Sequence, residues 1–294
     1  MFDARDPRSS LAVAARPAAG GVAAAGDYVE FHKLPPAEPG TWLARGQNFV
    51  VAYSEAAAGA VLARADQADE YMLLLPDAAS QLEITTPEER VSVKGQSLVV
   101  LPPGESNIRV TTAGRLIRVF TDRAADLLER CSNAASYAKP HPHVAPLEPW
   151  PAPPAGYKVR AYDLNVPPQE GRFGRIWRCT TLMVNWGEPR PGPRDVTKMS
   201  PHSHPDFEQC SLVLEGEFVH HLRWPWTTNL NEWREDDHVR VGSPSITVIP
   251  PTSIHTSQAM AQGDNLLIDI FSPPRVDFSE KPGWVLNAAE YPMP

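Results

Sequence analysis

The residues best placed to do chemistry stand in two short segments of the second half. The first reads His202-Ser-His204-Pro-Asp-Phe-Glu208-Gln209 and the second Pro250-Pro251-Thr252-Ser253-Ile254-His255, with Gly216 between them. On a strand, residues i and i+2 project from one face, so both imidazoles of a His-x-His pair reach a single cation. A ligand from the adjoining strand and a third imidazole from a neighbouring hairpin would complete a site with open positions, the arrangement of catalytic metal centres. Other candidates carry less. His141-Pro-His143 repeats the spacing but has no partner and lies among prolines, so it reads as solvated linker. His32 and His238 sit among charges and read as surface residues, as does the acidic pair Asp236-Asp237. Cys131, Cys179 and Cys210 are odd in number and far apart, which suits reduced, buried thiols.

Strands must position these groups. Proline makes up 32 of the 294 residues, about twice the usual share, which argues against long helices. Apolar, β-branched runs bounded by turn residues occupy 92–101, 116–121, 176–186, 211–214, 218–223, 245–249 and 266–271, and 123–131 is the best helix candidate. Residues 137–157 contain seven prolines and form a stiff, extended connector near the middle of the chain. The halves also resemble each other. Residues 97–108 align with 245–256, 115–120 with 266–271, and 69–75 with 208–214, in the same order, the mark of a duplicated β domain. The expected organisation is a first domain at 1–136, a connector at 137–156 and a second domain at 157–294.

At the histidine segments the chain resembles the cupin superfamily. That family's first motif is His-x-His, three or four residues, Glu, six residues and Gly; its second is Pro-x-Gly-x-x-His. His202, His204 and His255 match three ligand positions. The likeness covers 157–294 well and 40–135 more loosely, and implies an all-β bicupin: two jelly-roll-like cupin barrels in tandem. The chain departs from the pattern in three places. No glycine stands six residues before His202, since Gly192 lies too far upstream; Thr252 replaces the glycine of the second motif; and six residues back from Gly216 stands Gln209, not Glu208. Counting from His204 admits either residue as the fourth ligand, while regular strand register turns Gln209 to the metal and Glu208 away.

The ligand set implied by the resemblance is His202, His204, Gln209 and His255, around one divalent ion: Fe, Mn, Ni or Zn. Four neutral donors leave the ion its full charge, which strengthens Lewis acidity and attracts an anionic substrate. Some small cupins with this His-x-His…Gln…His set act on unsaturated uronates. In the first half the alignment puts Ala63, Ala65, Glu70 and Asn107 at the four positions, so that barrel is expected to be structural and free of metal.

A general acid or base is expected at His220. A two-residue hairpin at Glu215-Gly216-Glu217 would place Phe218, His220 and Leu222 on the face of Gln209, pointing into the barrel. Residues 223–234 hold three tryptophans and suit either a pocket lid or a plug between the barrels.

The net charge of −8 is spread evenly over both halves, which excludes nucleic acid and anionic membranes as partners. No apolar run nears the ~20 residues of a membrane span. The apolar stretch at 11–15 is broken by Arg16 and Pro17 and is not a secretory leader, so a cytoplasmic location is expected. The leading functional expectation is a divalent-metal enzyme that acts on a small oxygen-rich carboxylate, a sugar acid or keto acid, by Lewis-acid enolate and proton-transfer chemistry. A non-haem iron dioxygenase and a non-catalytic ligand-binding cupin are the alternatives. The expected partner is a small anionic substrate, with homodimerisation left open.

Overall fold

The computed structural model describes residues 23–294, so the apolar stretch at 11–15 lies outside the described residues. The first half forms β1 (Asp27–Glu30), β2 (Thr41–Arg45), β3 (Phe49–Ala56), β4 (Val61–Gln67), β5 (Tyr71–Leu75), β6 (Gln81–Thr85), β7 (Arg90–Lys94), β8 (Ser97–Leu101), β9 (Gly104–Thr112) and β10 (Gly114–Thr121), then the one-turn helix α1 (Ala125–Leu128). The second half forms β11 (Arg160–Asp163), β12 (Arg175–Arg178), β13 (Met183–Trp186), β14 (Arg190–Pro191), β15 (Gln209–Glu215), β16 (Glu217–Arg223), β17 (Asp237–Gly242), β18 (Ser245–Ile249), β19 (Ile254–Ala259) and β20 (Asp264–Phe271), then α2 (Val276–Ser279).

Two sheets of matching order dominate. One runs β11-β8-β5-β10-β3-β2 and the other β1-β18-β15-β20-β13-β12, with β14 added on β20. Each is faced by a smaller sheet, β4-β9-β6-β7 in the first barrel and β17-β16-β19 in the second. The outermost strand of each large sheet comes from the other half: β1 pairs with β18 and β11 with β8. The strand matches found in the sequence, β8 with β18, β10 with β20 and β5 with β15, hold the same places in the two sheets.

Both faces of each large sheet are covered, and every residue of β5, β8 and β18 is buried, Ser97, Ser245 and Thr247 included. Val51, Tyr53, Met72 and Leu74 share one core with Leu212, Leu214, Ile246 and Ile268, so the two large sheets pack on each other. The opposite face of the first sheet, with Val50, Leu73 and Val99, fills the first barrel together with Leu82, Ile84 and Ile108. Two expected single strands are pairs. Residues 92–101 turn at Gly95-Gln96, where Gln96 takes φ 58°, and 176–186 is the hairpin β12–β13, closed where Cys179 N donates to the Leu182 carbonyl. The connector is not solvated along its length: Val144 and Trp150 are buried, and Trp150 N donates to the Thr180 carbonyl. The three cysteines are buried and unpaired by disulfides. No helix among the described residues is long and apolar enough to cross a membrane.

Candidate metal centre

His202, His204 and His255 converge, with one nitrogen from each within 4.8 Å of the others. The His-x-His segment is not a regular strand. It is held by a single bridge in which His202 N donates to the His255 carbonyl (3.0 Å) and His255 N to that of His202 (2.8 Å). A second tie runs from Thr252 N to the His204 carbonyl. Thr252 takes φ 71°, the left-handed conformation that the family's glycine would supply, so the turn survives the substitution at a cost in strain. Gly216, at φ 79°, marks the corner between β15 and β16. A Cβ there would meet Asn265 Oδ1 at 2.5 Å and the Asp264 carbonyl at 2.7 Å.

The side chains are arranged as ligands. His202 Nδ1 lies 2.9 Å from the Ser200 carbonyl and His255 Nδ1 3.1 Å from that of Ser253. A carbonyl only accepts, so each Nδ1 carries the proton and each Nε2 keeps its lone pair. Burial, reinforced by the nearby Arg275 charge, holds His204 well below the usual imidazole range, hence neutral, as a ligand must be. Gln209 Oε1 sits 2.9 Å from His204 Nε2 and 3.4 Å from His255 Nε2. Amide oxygen and imidazole nitrogen at that distance need a proton or a cation between them. Three imidazoles and an inward amide oxygen therefore fit a divalent ion.

Glu208 points elsewhere. Its carboxylate is buried against the first half, where it accepts from Gln47 N at 2.6 Å and from His141 Nδ1 at 2.9 Å. His141 is thus an ordered ion-pair partner rather than solvated linker.

In the first barrel the registers correct one assignment. Tyr71 pairs with Leu101 on β8 as Gln209 pairs with Ile249 on β18, so Tyr71, not Glu70, stands where Gln209 does. The slip arises because a linear match sets the apolar residues 73–75 on 212–214, whereas pairing with β8 and β18 sets the register one residue over. Ala63 pairs with Asn107, matching the His202–His255 bridge. Glu70 faces the other barrel, where it accepts from Thr180 N, Thr180 Oγ1 and Tyr291 OH.

The expected β15–β16 hairpin does not form. β15 pairs with β18 and β20, whereas β16 pairs with β17 and β19, because the chain changes sheet at Gly216. His220 is nevertheless fully buried, and burial drives its pKa down to about 3. Its Nδ1 lies 2.9 Å from Ser257 Oγ, and Ser257, not His220, forms the cavity wall.

The centre opens into a cavity of about 1360 Å³. Its wall includes Arg275, whose guanidinium is caged by Phe207, Phe271 and Phe278 and paired with Asp277. Asp269 also lines it, bonded through Oδ1 to Gln209 Nε2 (2.9 Å) and Ser211 Oγ (3.2 Å). Neither residue was singled out from the sequence. The one available signal was an aspartate inside the otherwise apolar run 266–271. The three tryptophans of residues 223–234 are not among the cavity's lining residues: Trp224 is buried, its Nε1 donating to the Ala24 carbonyl, while Trp226 and Trp233 stack in the open at 4.5 Å. Asp236 pairs with Arg223, and Asp237 accepts from Tyr28 OH.

No protein-family model matches the chain, and no curated protein matches it. Among solved structures it resembles the oxalate decarboxylase of Lactobacillus farciminis in its formate complex, with a TM-score of 0.55 and 12% identity over 89% of this chain and 88% of that one. It also resembles AerE from Microcystis aeruginosa (0.53, 10% identity, 86% and 99% of the two chains) and a putative glyoxylate-induced protein from Pseudomonas aeruginosa (0.52, 14%, 90% and 96%). At such identities the likeness is one of fold. The chain shares with these structures a fold of two β barrels in tandem, the bicupin arrangement that the sequence resemblance implies.

Proposed function

We propose that the second barrel is a metal-dependent active site for an oxygen-rich carboxylate of the sugar-acid or keto-acid class. The observation that carries this reading is the neutral donor set of His202, His204, His255 and Gln209 opening into a cavity whose wall bears the Arg275 guanidinium. The bound divalent ion would supply Lewis acidity, favouring loss of a proton next to the substrate carboxylate. Arg275 draws the anion toward the His204 side of the cavity, and its aromatic cage and Asp277 hold the guanidinium in place. Ser257 meets the substrate at the wall. His220 acts behind it as a positioning residue, since its neutral imidazole orients the Ser257 hydroxyl. A cavity of this size is larger than the ~300–1,000 Å³ of ordinary ligand sites, which suits a multi-carbon acid.

The test is to load the protein with one divalent metal at a time and incubate it with sugar acids and keto acids in D2O without oxygen, following the substrate by proton NMR. Deuterium incorporation or isomerisation beside the carboxylate supports the reading. Turnover that appears only when oxygen is admitted would establish the dioxygenase alternative instead, and binding without turnover the non-catalytic one.

A further inference from the structure

The amide of Gln209 has two faces, and only its oxygen can bind a cation. Which face it presents is decided behind it. Gln209 Nε2 donates one hydrogen to Ser211 Oγ at 3.1 Å and the other to Asp269 Oδ1 at 2.9 Å, and Ser211 Oγ in turn donates to the same carboxylate oxygen at 3.2 Å. An ionised carboxylate accepts and cannot donate. If the amide flipped, its carbonyl would face the Asp269 carboxylate and its NH2 would face the imidazoles, losing both bonds.

The duplication supplies an independent observation. β5 and β15 correspond through Met72 and Cys210, which pair with Val119 of β10 and Ile270 of β20, so Asp269 corresponds to Arg118 and Ser211 to Leu73. The first barrel has therefore replaced Gln209 by Tyr71, Ser211 by Leu73 and Asp269 by Arg118, along with the three histidines. The inner ligands and the two groups behind the amide are absent together.

Resting on the metal-site reading above, we infer that Asp269 is a positioning residue for the metal: it locks the Gln209 amide oxygen inward and supplies, one hydrogen bond away, the negative charge that the four neutral donors lack. The carboxylate polarises the amide and enriches its oxygen, so the site is less starved of negative charge than its inner ligands alone suggest.

The test is affinity for Mn2+ and Zn2+, each titrated alone into the metal-free full-length protein against a chromophoric chelator. Asp269→Asn should weaken binding about 10–100-fold. The exchanged pair, Gln209→Glu with Asp269→Asn, should restore it to the wild-type level or above, because a carboxylate then faces the metal and an amide NH2 supports it from behind. This rescue also separates a lost ligand orientation from a damaged fold. Asp269→Asn binding within twofold of wild type, or an exchanged pair no better than Asp269→Asn alone, overturns the inference. Wild-type protein that binds neither ion overturns the underlying metal-site reading instead.

Discussion

Glu70 and Glu208 are equivalent residues of the two halves, and each carboxylate crosses to the other half to accept a backbone N–H from the turn that joins an edge strand to its neighbour. Glu208 takes Gln47 N, between β2 and β3; Glu70 takes Thr180 N, between β12 and β13. Each precedes by one residue the position that faces its own barrel interior, Gln209 in one and Tyr71 in the other. The glutamates are thus clasps between barrels, and the chain has kept both although only one barrel holds histidines at the ligand positions.

This separates two neighbouring residues by experiment. Glu208→Ala should cost roughly 2–4 kcal/mol in stability, because it removes a buried carboxylate that ties half-buried donors on Gln47 and His141, and should leave metal affinity unchanged. Gln209→Ala, by contrast, should weaken metal binding. Denaturant unfolding alongside metal titration checks both, and metal loss in the Glu208 variant would return that residue to the ligand set.

Two histidines should shift stability with pH in opposite directions. His141 places Nδ1 on Glu208 and Nε2 on the Ser136 carbonyl, and both partners only accept, so the ring is doubly protonated and its pKa lies above 6.5, chiefly through the Glu208 hydrogen bond. Its contribution is complete below pH 6.5 and is lost as pH rises through the elevated folded-state value. His220 is buried neutral with a pKa of about 3, so its contribution is complete above 6.5 and is lost as pH falls toward 3. Unfolding curves across pH 3–9 should lose their alkaline slope in His141→Ala and part of their acid slope in His220→Gln.

Thr252 offers a stabilising change. A β-branched residue at φ 71° stores strain that glycine does not, so Thr252→Gly should gain about 1 kcal/mol and raise the melting temperature by about 2–4 °C. A lowered melting temperature would mean that the buried threonine side chain contributes more by packing than its backbone costs.

The legible parts of this protein were those set by short spacing. His202, His204 and His255 and the repeated strand–Pro-Pro–turn depend on local rules, and both appear in the structure. What escaped depends on contacts between distant segments. The exchange of β1 and β11 leaves no local trace, and neither does the corner that sends β15 and β16 into different sheets. Asp269 meets Gln209 only across the pairing of β15 with β20, and Arg275 reaches the cavity from the loop before α2. The sequence around His141 looks like linker because its partner, Glu208, lies 67 residues away.

The central claim is one divalent metal in the second barrel, and elemental analysis of protein purified without chelator tests it most directly. One equivalent per chain, falling to near zero in His255→Ala, is the predicted result. Two equivalents per chain, none in the wild type, or an unchanged content in His255→Ala would contradict it.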